Sequence, residues 1–346
     1  MTQGLLAAVR AQDFGGTPDK LRGGAPLAHF PSLDLALVRL APGAAPRCAN
    51  VLFSREHPQG LVAEMSGRSG SVNNVRFEAD QQDAGGASVA WLPGADWQQL
   101  RFKPLLPAHQ GPHRFVAPYP ASLLKLMIAV GVGLAVDRGL CSWPTALEPM
   151  IVDSDNDATN VCVALLHRLA MVDVLNRSLA EYDLHTLQLN STQPSGGWRN
   201  SDGAGVGHIH MTAWDSVRLL WLLDAAAPPP PWLAAGTPAL LQAASRDHLR
   251  ALLQRQRHDH VLSSGSLRGL PGWVAGLPDA PTFAHKTGNT ENYASDAGIV
   301  KTPRCHYIVA LLSNLGRRYA PDERCVTPWR VPALGAAVHT LMESLP

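Results

Sequence analysis

The chain has 346 residues, 46% hydrophobic and 16% charged, the composition of a globular protein with a sizeable core and room for one large or two modest domains. A formal net charge of +1 removes the electrostatic case for nucleic acid or an anionic membrane as partner. The most apolar stretch, Leu126 to Val136, is too short to span a bilayer, and the five cysteines are scattered without metal-site spacing, as in a reduced compartment.

In chain order, Met1 to Arg10 lacks the basic and apolar regions of a signal peptide, which predicts a cytoplasmic protein, and Gly4 to Ala11 predicts a short helix. From Leu33 to Arg76, apolar runs (Leu35–Leu40, Val51–Phe53, Leu61–Ala63) alternate with Gly and Pro, as strands and turns do. Ser88–Leu92 and Trp97–Phe102, joined by the turn Pro93–Asp96, predict a hairpin. Phe115–Pro120 leads into a helix from Ser122 to Val136, apolar nearly all round and therefore buried. A second helix is expected at Ala158–Ala170. A capping box at Thr212–Asp215 opens a third, which carries Val217, Leu219, Leu220 and Leu222. Phe283–Lys286, Ala297–Lys301 and His306–Ser313 read as strands, and Pro332–Glu343 as a closing helix.

Lysine stands at only Lys20, Lys103, Lys125, Lys286 and Lys301, the other cationic positions being arginine. Two of these lysines lie in short words, Ser122-Leu123-Leu124-Lys125 and Lys286-Thr287-Gly288, and between them stands Ser154-Asp155-Asn156. A buried ammonium can lose its proton where a guanidinium cannot, and one helical turn lets Lys125 reach Ser122. A nucleophilic serine needs such a proton acceptor. Each word alone has an ordinary reading. Ser122 is a favoured helix cap, Lys125 a lysine snorkelling along a helix, and the Asp153–Asn156 run a capping loop. Leu124, Leu126 and Met127 around Lys125 argue against snorkelling, and all three words in order outweigh the separate readings. His208-Ile209-His210 and His258-Asp259-His260 have strand spacing for metal pairs, but no Cys or carboxylate cluster completes either, so they read as solvated or loop histidines.

Ser-x-x-Lys, Ser-Asp-Asn and Lys-Thr-Gly in this order resemble the signatures of class A β-lactamases and penicillin-binding proteins. The resemblance covers roughly residues 87 to 346, including Leu267–Trp273 ahead of the last strands. It implies an α/β (α+β) fold, β-lactamase-like, with an antiparallel sheet flanked by helices and an inserted helical subdomain. An N-terminal β-rich extension would occupy residues 1–86, the sheet domain 87–121 and 270–346, and the helical subdomain 122–269. The hairpin at 88–102 would open the sheet.

By the same resemblance, Ser122 is the nucleophile and Lys125 its base. Ser154 carries protons to the leaving group, and Asn156 holds Lys125 and a substrate amide. Asp155 turns inward to fix its loop. Lys286 and Thr287 meet a substrate carboxylate or hold Ser154, while Gly288 admits the substrate backbone. The N–H groups of Ser122 and Asn289 form an oxyanion hole. The expectation is a cofactor-free, metal-free serine hydrolase acting on a small-molecule amide, lactam or ester. A biosynthetic acyltransferase or esterase, and a non-catalytic penicillin-binding sensor, are the alternatives.

Three features depart from the family. Class A enzymes carry a water-activating Glu in the loop after the Ser-Asp-Asn helix, but Thr186 to Ser195 contains no carboxylate, and Glu181 and Asp183 lie upstream. The spacing from Ser122 to Ser154 is shorter than in class A. No arginine follows Lys286-Thr287-Gly288, where Glu291 stands instead.

Overall fold

The computed structural model of the chain describes residues 1–66, 70–82, 101–105, 111–197, 209, 211–258, 262, 282–320 and 330–345. Helix α1 (Thr2–Arg10) leads to strands β1 (Leu33–Leu40), β2 (Arg47–Phe53) and β3 (Leu61–Val62), then β4 (Val75–Gln82), β5 (Arg101–Pro104) and β6 (His113–Ala117). The helices α2 (Lys125–Asp137), α3 (Leu147–Val152), α4 (Asn156–Arg168), α5 (Met171–Glu181), α6 (Ala213–Leu223) and α7 (Ala243–Gln254) follow. Strands β7 (Thr282–Asn289), β8 (Ala294–Lys301) and β9 (His306–Ser313) and helix α8 (Arg330–Ser344) come last, and a small two-stranded ribbon, Pro18–Asp19 with Ala25–Pro26, lies between α1 and β1 in the chain.

Among the described residues, six strands form one sheet in the order β3-β2-β1-β9-β8-β7, every neighbouring pair antiparallel. The two ends of the chain therefore meet where β1 pairs with β9. Strand side chains alternate between faces. Leu33, Leu35 and Leu37 of β1 join the core under α1 and α8, while Ala36, Val38 and Leu40 join the core on the α6 side. Strand β9 does the same with Tyr307, Val309 and Leu311 against Ile308, Ala310 and Leu312. A strand covered on both faces carries no polar face, so its sequence shows little alternation.

Helix α6 packs on β1, β8 and β9, and α7 packs on β7. The group α2–α5 continues this larger core. Helix α2 is buried from Lys125 through Ala135, as its all-round apolar sequence requires. Polar contacts tie the sheet to both ends of α6, Lys301 and His306 meeting Asp224 at its C-cap. Asp34, buried on β1, accepts hydrogen bonds from the backbone N–H of Ala213 at 2.8 Å and from Asn50 Nδ2 at 2.8 Å.

The expected antiparallel sheet flanked by helices is present, but its first hairpin is β1–β2 rather than 88–102. Strands β1–β3, from the stretch expected to be an extension, belong to the main sheet. Residues 83–100 lie outside the described residues. Strand β5, the described end of the expected hairpin, pairs with β4 in a second sheet of order β5-β4-β6, where β4 and β6 run parallel. Residues 267–273 also lie outside the described residues.

The capping reading of Thr212 is half right. Thr212 Oγ1 accepts from Asp215 N at 3.3 Å, but the Asp215 carboxylate turns to Thr186 and Arg218 instead of back to the cap. Among the described residues no single helix is long and apolar enough to cross a membrane.

Candidate active site

The turn that carries Ser122 is a 3-10 segment, Ala121–Leu124, running straight into α2, rather than the first α-helical turn expected from sequence. Ala121 has φ +50°, a left-handed conformation that costs a side-chain-bearing residue energy unless its surroundings hold it. Those surroundings are the edge of the sheet. Ser295 Oγ on β8 donates to the Pro120 carbonyl at 2.5 Å. On β7 the residue paired with Ser295 is Gly288, and a Cβ there would lie 2.4 Å from Pro120 O, 2.4 Å from Ser295 Oγ and 2.8 Å from Leu123 N. Only glycine lets this strand lie directly against the Ser122 turn.

Lys125 is 2% exposed despite its charge. Its ammonium donates to Asn156 Oδ1 at 2.8 Å, to Ser154 Oγ at 3.3 Å and to the Ser154 carbonyl. These use all three donors of an ammonium, and Ser122 Oγ is not among the partners. Burial draws the Lys125 pKa down to about 8, against the opposing pull of Asp155.

Lys286, fully buried on β7, donates to Ser154 Oγ at 2.9 Å and to the Thr287 carbonyl at 2.9 Å. Burial, and then the charge of Lys125, hold its pKa well below the usual lysine value, while Asp296 works in the other direction. The Ser154 hydroxyl thus accepts from two lysines on separate elements. Its own backbone is left-handed, with φ +56°. Thr287 is buried on the same strand and Asn289 is half-buried at its end.

The structure therefore brings Lys125, Ser154, Asn156 and Lys286 into one hydrogen-bonded group, and sets the Ser122 turn against Gly288. Asp155 differs from expectation. It is exposed and caps α4, its Oδ1 accepting from Ala158 N at 2.6 Å. An Asp facing the first turn of a helix satisfies donors that would otherwise lack partners, so it has no reason to turn inward. The sequence reading also passed over Ser295, whose role appears only once β8 pairs with β7 at the edge of the sheet.

The loop that lacks a carboxylate is held by other means. Asp215 Oδ2 accepts from Thr186 N at 2.9 Å and Thr186 Oγ1 at 2.6 Å, and Arg218 Nη1 reaches Asp183 Oδ2 at 3.0 Å. Asn176 pins the Leu189 backbone in both directions, and His167 Nε2 meets Thr192 Oγ1 at 2.9 Å. Of the nearby acids, Glu181 is exposed at the end of α5, Asp183 is committed to Arg218 and His185, and Glu291 lies by Arg317. His208, His210, Asp259 and His260 lie outside the described residues. Among the described residues no group of three or more His, Cys, Asp or Glu side chains could hold a metal.

The sequence profile of the Beta-lactamase enzyme family matches residues 137–327, more than half of the chain. That span includes Ser154, Asn156 and Lys286–Asn289 and begins after Ser122 and Lys125. No protein of curated function matches the chain in sequence. Among solved structures, PBP-A is similar with a TM-score of 0.54 at 19% identity, covering 100% of this chain and 97% of that one. A PBP-A mutant described as an acyl-enzyme complex with penicillin G gives 0.53 at 19%, covering 99% and 96%. The beta-lactamase from Sphaerobacter thermophilus DSM 20745 gives 0.51 at 15%, covering 100% and 99%. At these identities the likeness is one of fold, and the fold is β-lactamase-like.

Proposed function

From the premise that this chain belongs to the beta-lactamase enzyme family, we propose that it is a serine hydrolase which acts through an acyl-enzyme on Ser122. Its substrate is a small molecule with an amide, lactam or ester carbonyl. The observation that carries this reading is the Ser154 hydroxyl held between two buried lysines, Lys125 and Lys286, beside the Ser122 turn. A purely structural role would not call for two ammonium groups in an apolar setting, where each charge costs burial energy.

The chemistry follows from the donor count. A neutral Lys125 keeps two N–H bonds and gains a lone pair, so it gives up one of its three hydrogen bonds and can accept the Ser122 proton. Ser122 Oγ attacks the carbonyl carbon, and the backbone N–H groups of Ser122 and Asn289 receive the developing oxyanion. As the bond to the leaving group breaks, Ser154 gives that group a proton and regains one from a lysine that holds it. Asn156 orients Lys125 and a substrate amide. Lys286 and Thr287 face the polar end of the substrate.

Release of the acyl group by water needs a base within hydrogen-bond reach. The loop Thr186–Ser195 supplies no carboxylate, which favours an acyl-enzyme that accumulates and then decays slowly, or passes to an amine or alcohol acceptor. The PBP-A mutant solved with penicillin G attached offers a probe. Intact-mass measurement after mixing with penicillin G, or with an activated ester, should show one adduct on the wild type and none on Ser122→Ala. An adduct that persists in Ser122→Ala would remove Ser122 as nucleophile. Fast, linear penicillin turnover without accumulation would mean that another group activates the water.

A further inference from the structure

Ser154 is held from the catalytic side by two lysines, and the chain that leads up to it is held from behind. Helix α3 ends at Val152, so its last carbonyls have no partner within the helix. The segment after α7 supplies partners for three consecutive ones. Gln256 Nε2 donates to Ile151 O at 2.8 Å, Arg257 N to Val152 O at 3.0 Å, and His258 Nε2 meets Asp153 O at 2.8 Å. A carbonyl can only accept, so His258 must carry a proton on Nε2. Gln256 is itself oriented, because its Oε1 accepts from His258 N at 3.1 Å. Arg257 Nη1 adds a pair with Asp153 Oδ1, which is largely solvent-exposed and contributes little.

The next residue after this ladder is Ser154, in its left-handed conformation. A serine has no intrinsic preference for φ +56°, so the conformation persists only where the flanking backbone is fixed. On one side Asp155 caps α4, and on the other the ladder fixes Asp153. Building on the proposed acyl-enzyme chemistry, we propose that Gln256 and His258 are positioning residues that set Ser154 between Lys125 and Lys286. His258, which in sequence reads as a solvated or loop histidine, serves the proton path by holding the loop that carries it.

Two readouts keep this proposal separate from the reading it rests on. The first is the rate of Ser122 acylation by penicillin G, with its concentration dependence, in wild type, His258→Ala, Gln256→Ala and His258→Gln. The second is hydrogen exchange of the peptide spanning residues 150–157. Loss of one such hydrogen bond should slow acylation about tenfold with little change in half-saturation. It should also speed amide exchange at Asp155 and Asn156. His258→Gln, which keeps an N–H donor, should recover most of the rate. Acylation by His258→Ala within twofold of wild type would overturn the proposal, as would equal slowing in His258→Gln. If the wild type forms no adduct at all, the acyl-enzyme reading fails, and exchange alone decides the clamp. Faster exchange in His258→Ala supports it, and unchanged exchange overturns it.

Discussion

Lys125 concentrates the chemistry in one side chain, and its neighbours make its behaviour calculable. Burial lowers its pKa to about 8, so the neutral, proton-accepting form is a minority at pH 7 and grows through pH 8. Below that value the neutral fraction falls tenfold per pH unit, so acylation of the wild type should rise with pH and level off above about 8. Lys125→Arg keeps a cation beside Ser154 and Asn156 but cannot release its proton. Its acylation should drop by about 10²-fold, the usual scale for loss of a general base, and lose the rise near pH 8. Stopped-flow acylation across pH 6 to 10 checks both points, and near-normal rates in the arginine variant would reduce Lys125 to an electrostatic role. This lysine was legible in the sequence because arginine fills nearly every other cationic position. Ser295, Gln256 and His258 were not, since they act through backbone carbonyls at Pro120, Ile151 and Asp153 that only the folded chain brings near.

Strand β7 fixes the geometry between the sheet and the nucleophile turn, and its sequence carries the constraint in a single glycine. A methyl group on residue 288 would collide with two backbone atoms, Pro120 O and Leu123 N, which cannot swing aside as a side chain would. Either β7 moves away from the turn or the turn shifts, and Ala121 with φ +50° has little tolerance for a shift. Gly288→Ala should therefore destabilise the fold by about 1–3 kcal/mol, the range of overpacking in tight interiors. It should also slow acylation more than that loss explains, because Ser122 and Asn289 would part. Denaturant midpoints beside acylation rates separate the two effects. A variant that acylates normally would show that the sheet edge does not set the nucleophile. Helix α6 was placed from sequence to within a few residues because Thr212 caps it, and α4 because it follows Ser154-Asp155-Asn156. Strands β1, β2 and β3 were legible as apolar runs between Gly and Pro, but their place in the main sheet was not, because β1 is buried on both faces and its sequence carries no alternation that assigns it a partner.

Joining of the two chain ends in one sheet makes the N-terminal third of the protein part of the site's foundation, a relation no local pattern in residues 33–53 announces. Asp34 is where that joining meets the helical side. It sits on β1, fully buried, and binds the first residue of α6 through the Ala213 N–H. Burial raises its pKa from 3.8 to about 6, with Asp215 adding to the rise and the hydrogen bonds from Ala213 and Asn50 opposing it. Between those values the folded state binds a proton that the unfolded state has already lost. Stability from this group is therefore complete below pH 3.8 and declines as pH rises through about 6. A shift of this size corresponds to about 3 kcal/mol, of which the fold is deprived at neutral pH. Asn at this position keeps an oxygen acceptor for Ala213 but does not titrate. Measured in urea, the stability of Asp34→Asn relative to wild type should thus improve by up to about 3 kcal/mol between pH 4 and pH 7. Subtracting the two curves cancels the other carboxylates, so the change isolates one residue. Parallel curves would mean that Asp34 stays ionised in the fold, its charge met in full by Ala213 and Asn50. In that case the contact between sheet and α6 would rest on an anion at the helix N-terminus rather than on a neutral acid.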